Sequence, residues 1–201
     1  MADPSYINDD GVLADGEAWV GIAHASLSLP AATVTWTSTN DGQTGDFSQY
    51  MDLFIVGYAR SDRSSGSYDV IQIAFNNDTT DANYAGERFS GDGSSVGAAA
   101  DAHRGAMHVP CEASDDETFN AFTVDLSDIN SGKHKSTLIQ NACRHSDPDA
   151  GIVEVWSKTW LNQAAITEID LNVQYGTNFV AGCAFDLFGV LPSMLSTGTV
   201  A

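Results

Sequence analysis

Basic residues are scarce in this chain. Lysine and arginine together number 8 against 27 aspartates and glutamates, a formal net charge of −19. Such a chain repels phosphate backbones and anionic lipid surfaces, so neither nucleic acid nor membrane is expected as a partner. Cysteine is scarce too: Cys111, Cys143 and Cys183 are an odd, scattered set. They do not form a disulfide framework, which suits synthesis in a reducing cytoplasm. No window approaches the ~18 consecutive apolar residues of a membrane helix. The opening MADPSYINDDGVLADGEAW has no basic region and no apolar core, so it does not read as a secretory signal. Helical periodicity is almost missing. The one helix-tolerant stretch, GSSVGAAADAHRGAM (93–107), carries glycines and serines that read as loop.

What is present is strand signal. Segments 18–23, 32–38, 51–60, 68–76, 104–109, 119–129, 135–145, 152–160, 166–173 and 179–190 are rich in β-branched and aromatic residues. Many alternate apolar with polar residues, the period of a strand with one face on a core. In ITEIDLNV, Ile169, Leu171 and Val173 share a face. Between the segments lie turn formers such as SDRSSGS, NNDTTDAN, SGDGSSVG and QYGTN. About ten short strands at this spacing predict an all-β, antiparallel β-sandwich, jelly-roll-like in wrapping. Residues 16–191 are expected to form the single sandwich domain. Residues 1–15, with Tyr6, Ile7, Val12 and Leu13 as apolar anchors, read as an extended N-terminal arm. Residues 192–201, with Met194 and Leu195, read as a C-terminal tail. Both ends are either frayed or ordered only against a neighbouring subunit.

Chemistry-bearing patterns are weak. No Gly-rich phosphate loop sits between a strand and a helix, and no GxSxG elbow occurs. His103, His108 and Cys111 lie close in sequence, as do Cys143 and His145, but their spacing matches no zinc pattern. Acidic clusters at 9–10, 78–81, 115–117 and 147–149 match no calcium loop and read as solvated turns. Asp52, Glu154, Glu168 and Asp170 fit outward strand positions, yet sequence alone pairs none of them across a cleft as a glycosidase would require. The expectation is a protein that is not an enzyme, with no catalytic residue, no metal and no cofactor. The aromatics Trp19, Trp36, Trp156, Trp160, Tyr50, Tyr58, Tyr68, Tyr84 and Tyr175 could stack on sugar rings. Trp156 and Trp160 are four apart on one strand and share a face, which reads as core or subunit interface.

Three segments carry a resemblance. NNDTTDANYAGERFSGDGSSV (76–96), SDINSGKHKSTLIQNA (127–142) and AAITEIDLNVQYGTNFVAGCAFDLFGV (164–190) resemble parts of virion structural proteins of tailed bacteriophages. The last is the most specific: Phe179, Gly182, Cys183, Phe185, Leu187, Phe188, Gly189 and Val190 follow a Phe–Gly–small–Phe–Leu–aromatic–Gly–aliphatic pattern. Phe188 stands where tyrosine is commoner and Cys183 where serine is. The resemblance implies a jelly-roll-like module, typically trimeric, in a capsid decoration (cement) protein or in a head, neck or tail fibre. The lack of a repetitive shaft favours decoration: non-covalent stabilisation of the phage head, with the major capsid protein and a homotrimer of this chain as partners. The protein would be made in the host cytoplasm and reside in the virion. The alternative is a fibre receptor-binding module recognising host surface glycans. The expected interface residues are Tyr6, Ile7, Val12, Leu13, Trp156, Trp160, Met194 and Leu195.

Overall fold

The computed structural model describes residues 19–39, 45–114, 118–144 and 151–191. The arm, with Tyr6, Ile7, Val12 and Leu13, and the tail, with Met194 and Leu195, lie outside them. So do His145 and the acidic clusters at 9–10, 115–117 and 147–149.

Among the described residues twelve strands follow one another, two more than the sequence suggests. They are β1 (Trp19–Ser26), β2 (Thr33–Thr37), β3 (Asp52–Tyr58), β4 (Asp69–Phe75), β5 (Tyr84–Gly91) and β6 (Val96–Ala100). The second half comprises β7 (Gly105–Val109), β8 (Ala121–Ser127), β9 (Lys135–Arg144), β10 (Gly151–Trp160), β11 (Glu168–Val173) and β12 (Ala184–Val190). They form two antiparallel sheets, β1-β12-β3-β8-β9-β10-β5-β6 and β2-β11-β4-β7. The pairs β1–β12, β2–β11, β3–β8 and β4–β7 wrap the chain from its outer strands inward. That nested wrapping, with four strands in each sheet, is an eight-stranded jelly roll. Two hairpins are added to it. β5–β6 is inserted between β4 and β7, and β9–β10 between β8 and β11. Both continue the first sheet beyond β8, so one sheet has 8 strands and the other 4.

The inner faces interdigitate as alternation requires. Leu53, Ile55, Val124, Leu126, Ile139, Phe185 and Leu187 from the larger sheet meet Ile71, Ile73, Phe75, Met107, Val109, Ile169 and Leu171 from the smaller. Burying each such side chain is worth roughly 1.5–3 kcal/mol. The Ile169–Leu171–Val173 face is buried as its period predicts. β5 and β6 escape sequence reading because neither has an apolar inner face. β5 turns Arg88 and Ser90 inward, and β6 is an alanine-rich edge. The expected strand at 179–190 begins only at Ala184. Phe179 instead makes single bridges to Ala31 and Ser61, and residues 180–183 turn toward β12.

Gly189 in β12 has a packing reason. A Cβ there would lie 2.2–2.5 Å from three ring atoms of Tyr50, whose own ring is buried. Gly189→Ala is therefore expected to lower stability by about 3 kcal/mol through overpacking, measurable as a reduced urea midpoint at unchanged slope.

Candidate functional site

The two sheets differ in width, and the difference creates the features that matter. β7 is an edge of the smaller sheet and packs over β9 and β10. Beyond it the larger sheet continues through β5 to its edge strand β6. An edge strand leaves backbone groups unpaired, and a buried edge must have them satisfied. Side chains of the larger sheet do this. Glu154 Oε2 accepts the His108 backbone N–H at 3.2 Å. Asn120 and Asn141 both donate to the His108 carbonyl, at 3.2 and 3.0 Å. Asn141 also donates to Glu154 Oε2 at 3.0 Å, and Asn120 to Asn141 Oδ1 at 2.9 Å.

Glu154 is 0% exposed. Its Oε1 lies 2.8 Å from His108 Nδ1, a close but bent contact that falls short of an aligned hydrogen bond. Arg88 Nη1 sits 3.8 Å from the same oxygen and 3.3 Å from His108 Nε2. Guanidinium only donates, so Nε2 accepts and Nδ1 carries the imidazole proton. Burial pushes the Glu154 carboxyl up, but the His108 contacts and the Asn141 amide outweigh it and hold it below its ordinary value of 4.5. The expected outward placement of Glu154 is thus corrected. Trp156 and Trp160 fix the parity of β10, and Glu154 and Lys158 share that parity. Lys158 is buried beside Asp101, 3.1 Å away, and donates to the His103 carbonyl at 3.0 Å. Burial lowers the Lys158 ammonium from its usual range against the opposing pull of Asp101.

A pocket of about 270 Å³ opens at the overhang, where the larger sheet runs on past β7. Tyr68, Tyr175, Trp156, Arg88, His103 and His108 are among its lining residues. Tyr68 lies against the His108 ring, with centroids 3.9 Å apart, and Trp156 meets the same ring edge-on at 5.8 Å. Trp156 is 3% exposed, yet its Nε1–H has no acceptor among the described residues, and neither has the buried Arg88 Nε. Tyr175 stands at the mouth, with the Arg63 guanidinium 4.5 Å from its ring centre. Two carboxylates pin the loop that carries it. Asp69 accepts the N–H of Tyr175 at 3.0 Å and of Gly176 at 2.8 Å. Asp62 accepts the N–H of Thr177 at 2.7 Å and of Asn178 at 2.9 Å. Desolvation raises the Asp62 carboxyl, but these bonds leave it below its usual range. A Cβ at Gly176 would fall 2.7 Å from Asp62 Oδ1 and 2.9 Å from Asp69 Oδ2, so the clamp requires glycine.

The outer face of the larger sheet is the second feature. Register places Val56, Thr123, Gln140, Val155, Phe89 and Ala98 in one cross-strand row. Ala121, Ala142, Val153, Gly91 and Val96 form the next. From Val56 to Ala98 the first row carries no charge and it ends beyond Val56 in the Asp186–His24 pair; the second row has none, in a chain of net charge −19. Between Val56 and Tyr58 on one side and Val153 and Val155 on the other lies a trough of about 530 Å³. Asp186, 2.6 Å from His24, is the one surface charge in its lining. Beside the trough, Phe89 and Val96 project, 58% and 72% exposed. The smaller sheet's outer face has the ordinary character: Thr35 donates to Asp170 at 2.5 Å and Thr37 to Glu168 at 3.2 Å.

The remaining candidates resolve as structural groups. Trp156 and Trp160 are enclosed by this chain's own core, so they offer no subunit interface. Trp160 Nε1 donates to Asp78 at 2.8 Å, and Asn83 donates to the same carboxylate, which closes the 76–83 turn rather than a calcium loop. The Tyr84 hydroxyl donates to the Asp78 carbonyl, and burial pushes it up to about 12. All three cysteines are free and buried. Burial, with the Glu154 charge adding, pushes the Cys143 thiol up to about 12, where it is a poor nucleophile. His103 pairs with Asp101 at 2.9 Å and His108 with Glu154, so the structure does not gather His103, His108 and Cys111 around one point. Sequence reading missed Arg88, Asn120, Asn141 and Lys158. Only the parity shared with Trp156 and Trp160 could have exposed Lys158 as inward-facing.

Together these observations define the class: a jelly-roll β-sandwich with an enlarged, apolar sheet face and an aromatic pocket at its overhang. Comparison with known proteins adds no relative: no family model, no curated protein and no solved structure matches the chain.

Proposed function

We propose that this protein is a virion structural protein of the capsid-decoration kind, acting by non-covalent surface contact and assembling through the outer face of its eight-stranded sheet. The observation that carries the reading is that face: two cross-strand rows whose only described charge is Asp186, paired with His24 at one end, with a trough and a projecting Phe89 side by side. An exposed contiguous apolar patch of this kind marks an interaction surface. Its occupant is a second copy of the same chain. The face offers both socket and knob, so each copy can insert Phe89 into the trough of the next. Strongly acidic chains can approach each other closely only where no charges meet. A closed ring of such head-to-tail contacts gives the homotrimer. The segments at 76–96 and 164–190, which resemble phage virion proteins, support placement on a particle, and an acidic exterior suits a surface away from packaged DNA.

Two measurements test the proposal. Light scattering coupled to size exclusion is expected to give three times the 21.3 kDa chain mass. Protein analysis of purified particles is expected to find the chain on heads, bound without covalent linkage. A monomeric chain absent from particles would overturn it.

A further inference from the structure

We propose that the buried side chains of Lys158 and Asp101 condense to an amide, a covalent cross-link within the chain that ties β10 to the segment following β6, with His103 relaying the proton. The link is internal to one chain and independent of assembly through the sheet face.

The two groups are held against each other. Lys158 Nζ lies 3.1 Å from Asp101 Oδ1, with the lysine side chain 0% and the aspartate side chain 8% exposed. Gly86 in β5 makes room for the lysine stem. A Cβ there would fall 2.1 Å from the Ser157 carbonyl oxygen and 2.8 Å from Lys158 Cδ. The Gly86 carbonyl also accepts the Asp101 N–H at 2.8 Å, which fixes the aspartate beside β5. Nζ donates to the Asp101 and His103 carbonyls as well, at 3.4 and 3.0 Å. Groups fixed face to face and shielded from water react as parts of one molecule, for which effective concentrations reach about 10⁵–10⁸ M.

Burial favours the uncharged forms. It lowers the Lys158 ammonium from its usual range, against the opposing pull of Asp101. Moving one proton from Nζ to Oδ1 turns the ion pair into a neutral amine and a neutral acid. His103 is oriented to help. Its Nδ1 accepts the Gly105 N–H at 3.1 Å, so the imidazole proton sits on Nε2. Nε2 lies 2.9 Å from Asp101 Oδ1, which aims that proton at the oxygen that must leave.

The Lys158 amine attacks Asp101 Cγ, and the N–C bond forms. The Cγ–Oδ1 bond then breaks. Oδ1 departs as water with two protons that both originate on the lysine nitrogen. The first crosses the ion-pair contact directly. The second passes through His103, whose Nε2 gives its proton to Oδ1 and takes the nitrogen's. Ammonium and carboxylate become one amide and one water, with no oxidant or activating group consumed.

Tryptic digestion of the folded chain, followed by mass spectrometry, tests the link. Without it, trypsin cuts after Arg88, Arg104, Arg144 and Lys158. With it, the cut after Lys158 is lost because the amine has become an amide. The expected main product is residues 89–104 joined to residues 145–201, lighter than the separate peptides by one water. Lys158→Arg, which keeps the cation but not the amine, is expected to abolish the joined product. His103→Gln is expected to slow its appearance after refolding by roughly a hundredfold. Free residues 89–104 together with a cut after Lys158, in wild-type chain that melts cooperatively, would overturn the proposal whether or not the variants fold. A water loss that fragmentation maps to any other residues would overturn it too. An unchanged rate in His103→Gln would overturn the part assigned to His103.

Discussion

Replacing Glu154 by leucine is expected to lower folding stability by about 3–5 kcal/mol, the range for breaking one side of a buried ion pair. Against a total of about 5–15 kcal/mol for a typical domain, that is a large share. The loss has three parts. The His108 backbone N–H loses its acceptor, the Asn141 amide loses another, and Arg88 is left half-buried without its carboxylate. Glu154→Gln keeps an acceptor for the backbone but sets an amide N–H₂ against His108 Nδ1–H. It is expected to cost about 2 kcal/mol. Both values come from urea unfolding at neutral pH.

The same pair of proteins gives a pH test. The folded-state pKa of Glu154 is depressed, so its contribution is present above the unfolded value near 4.5 and is lost as pH falls through the lower folded value. The stability difference between wild type and Glu154→Gln should therefore be constant from about pH 6 upward and shrink steadily below about pH 4.5. A difference that stays flat down to the acid transition would show that the carboxylate carries no net favourable charge interaction.

The second large effect concerns assembly. Phe89→Asp is expected to convert the proposed trimer to monomer at micromolar concentration with the melting temperature of the isolated fold retained. Phe89 is exposed, so the fold loses little when it changes. At a closed contact, however, the aspartate would sit buried in the partner's apolar trough without a counter-charge. Such burial costs several kcal/mol, about a thousandfold in association. Val155→Asp, which charges the trough wall instead of the knob, should have the same outcome. Thr35→Asp on the outer face of the smaller sheet should leave the mass unchanged. Trimer persisting in both Phe89→Asp and Val155→Asp would remove this face from the assembly. The pocket variant Tyr175→Ala should remain trimeric, which separates the two surfaces.

Much of the fold was legible in the chain. The period of two at Ile169, Leu171 and Val173, the β-branched runs and the turn clusters specify an antiparallel sandwich. They do so because strand alternation is local, a property of each segment on its own. Strands β5 and β6 were not legible, because their places in the sheet come from pairing with β10 and with each other rather than from an apolar face of their own. The candidate sites were scarcely legible. In β10, two valines and two charged residues alternate, and local reading turns the valines inward. Trp156 and Trp160 reverse that, since two indoles outweigh two short aliphatic side chains in buried area.

The sequence by itself determined the acidic charge, the all-β sandwich class and the turn chemistry, since each depends on residue type and near neighbours alone. The tertiary structure decided which face of β10 is inside and that the inserted hairpins widen one sheet to 8 strands against 4. It also brought Tyr68, Arg88, Trp156 and Tyr175 to one pocket from distant parts of the chain. These outcomes depend on how sheets of unequal width must satisfy the edge strand β7 and leave an overhang beyond it. No stretch of sequence holds that information locally.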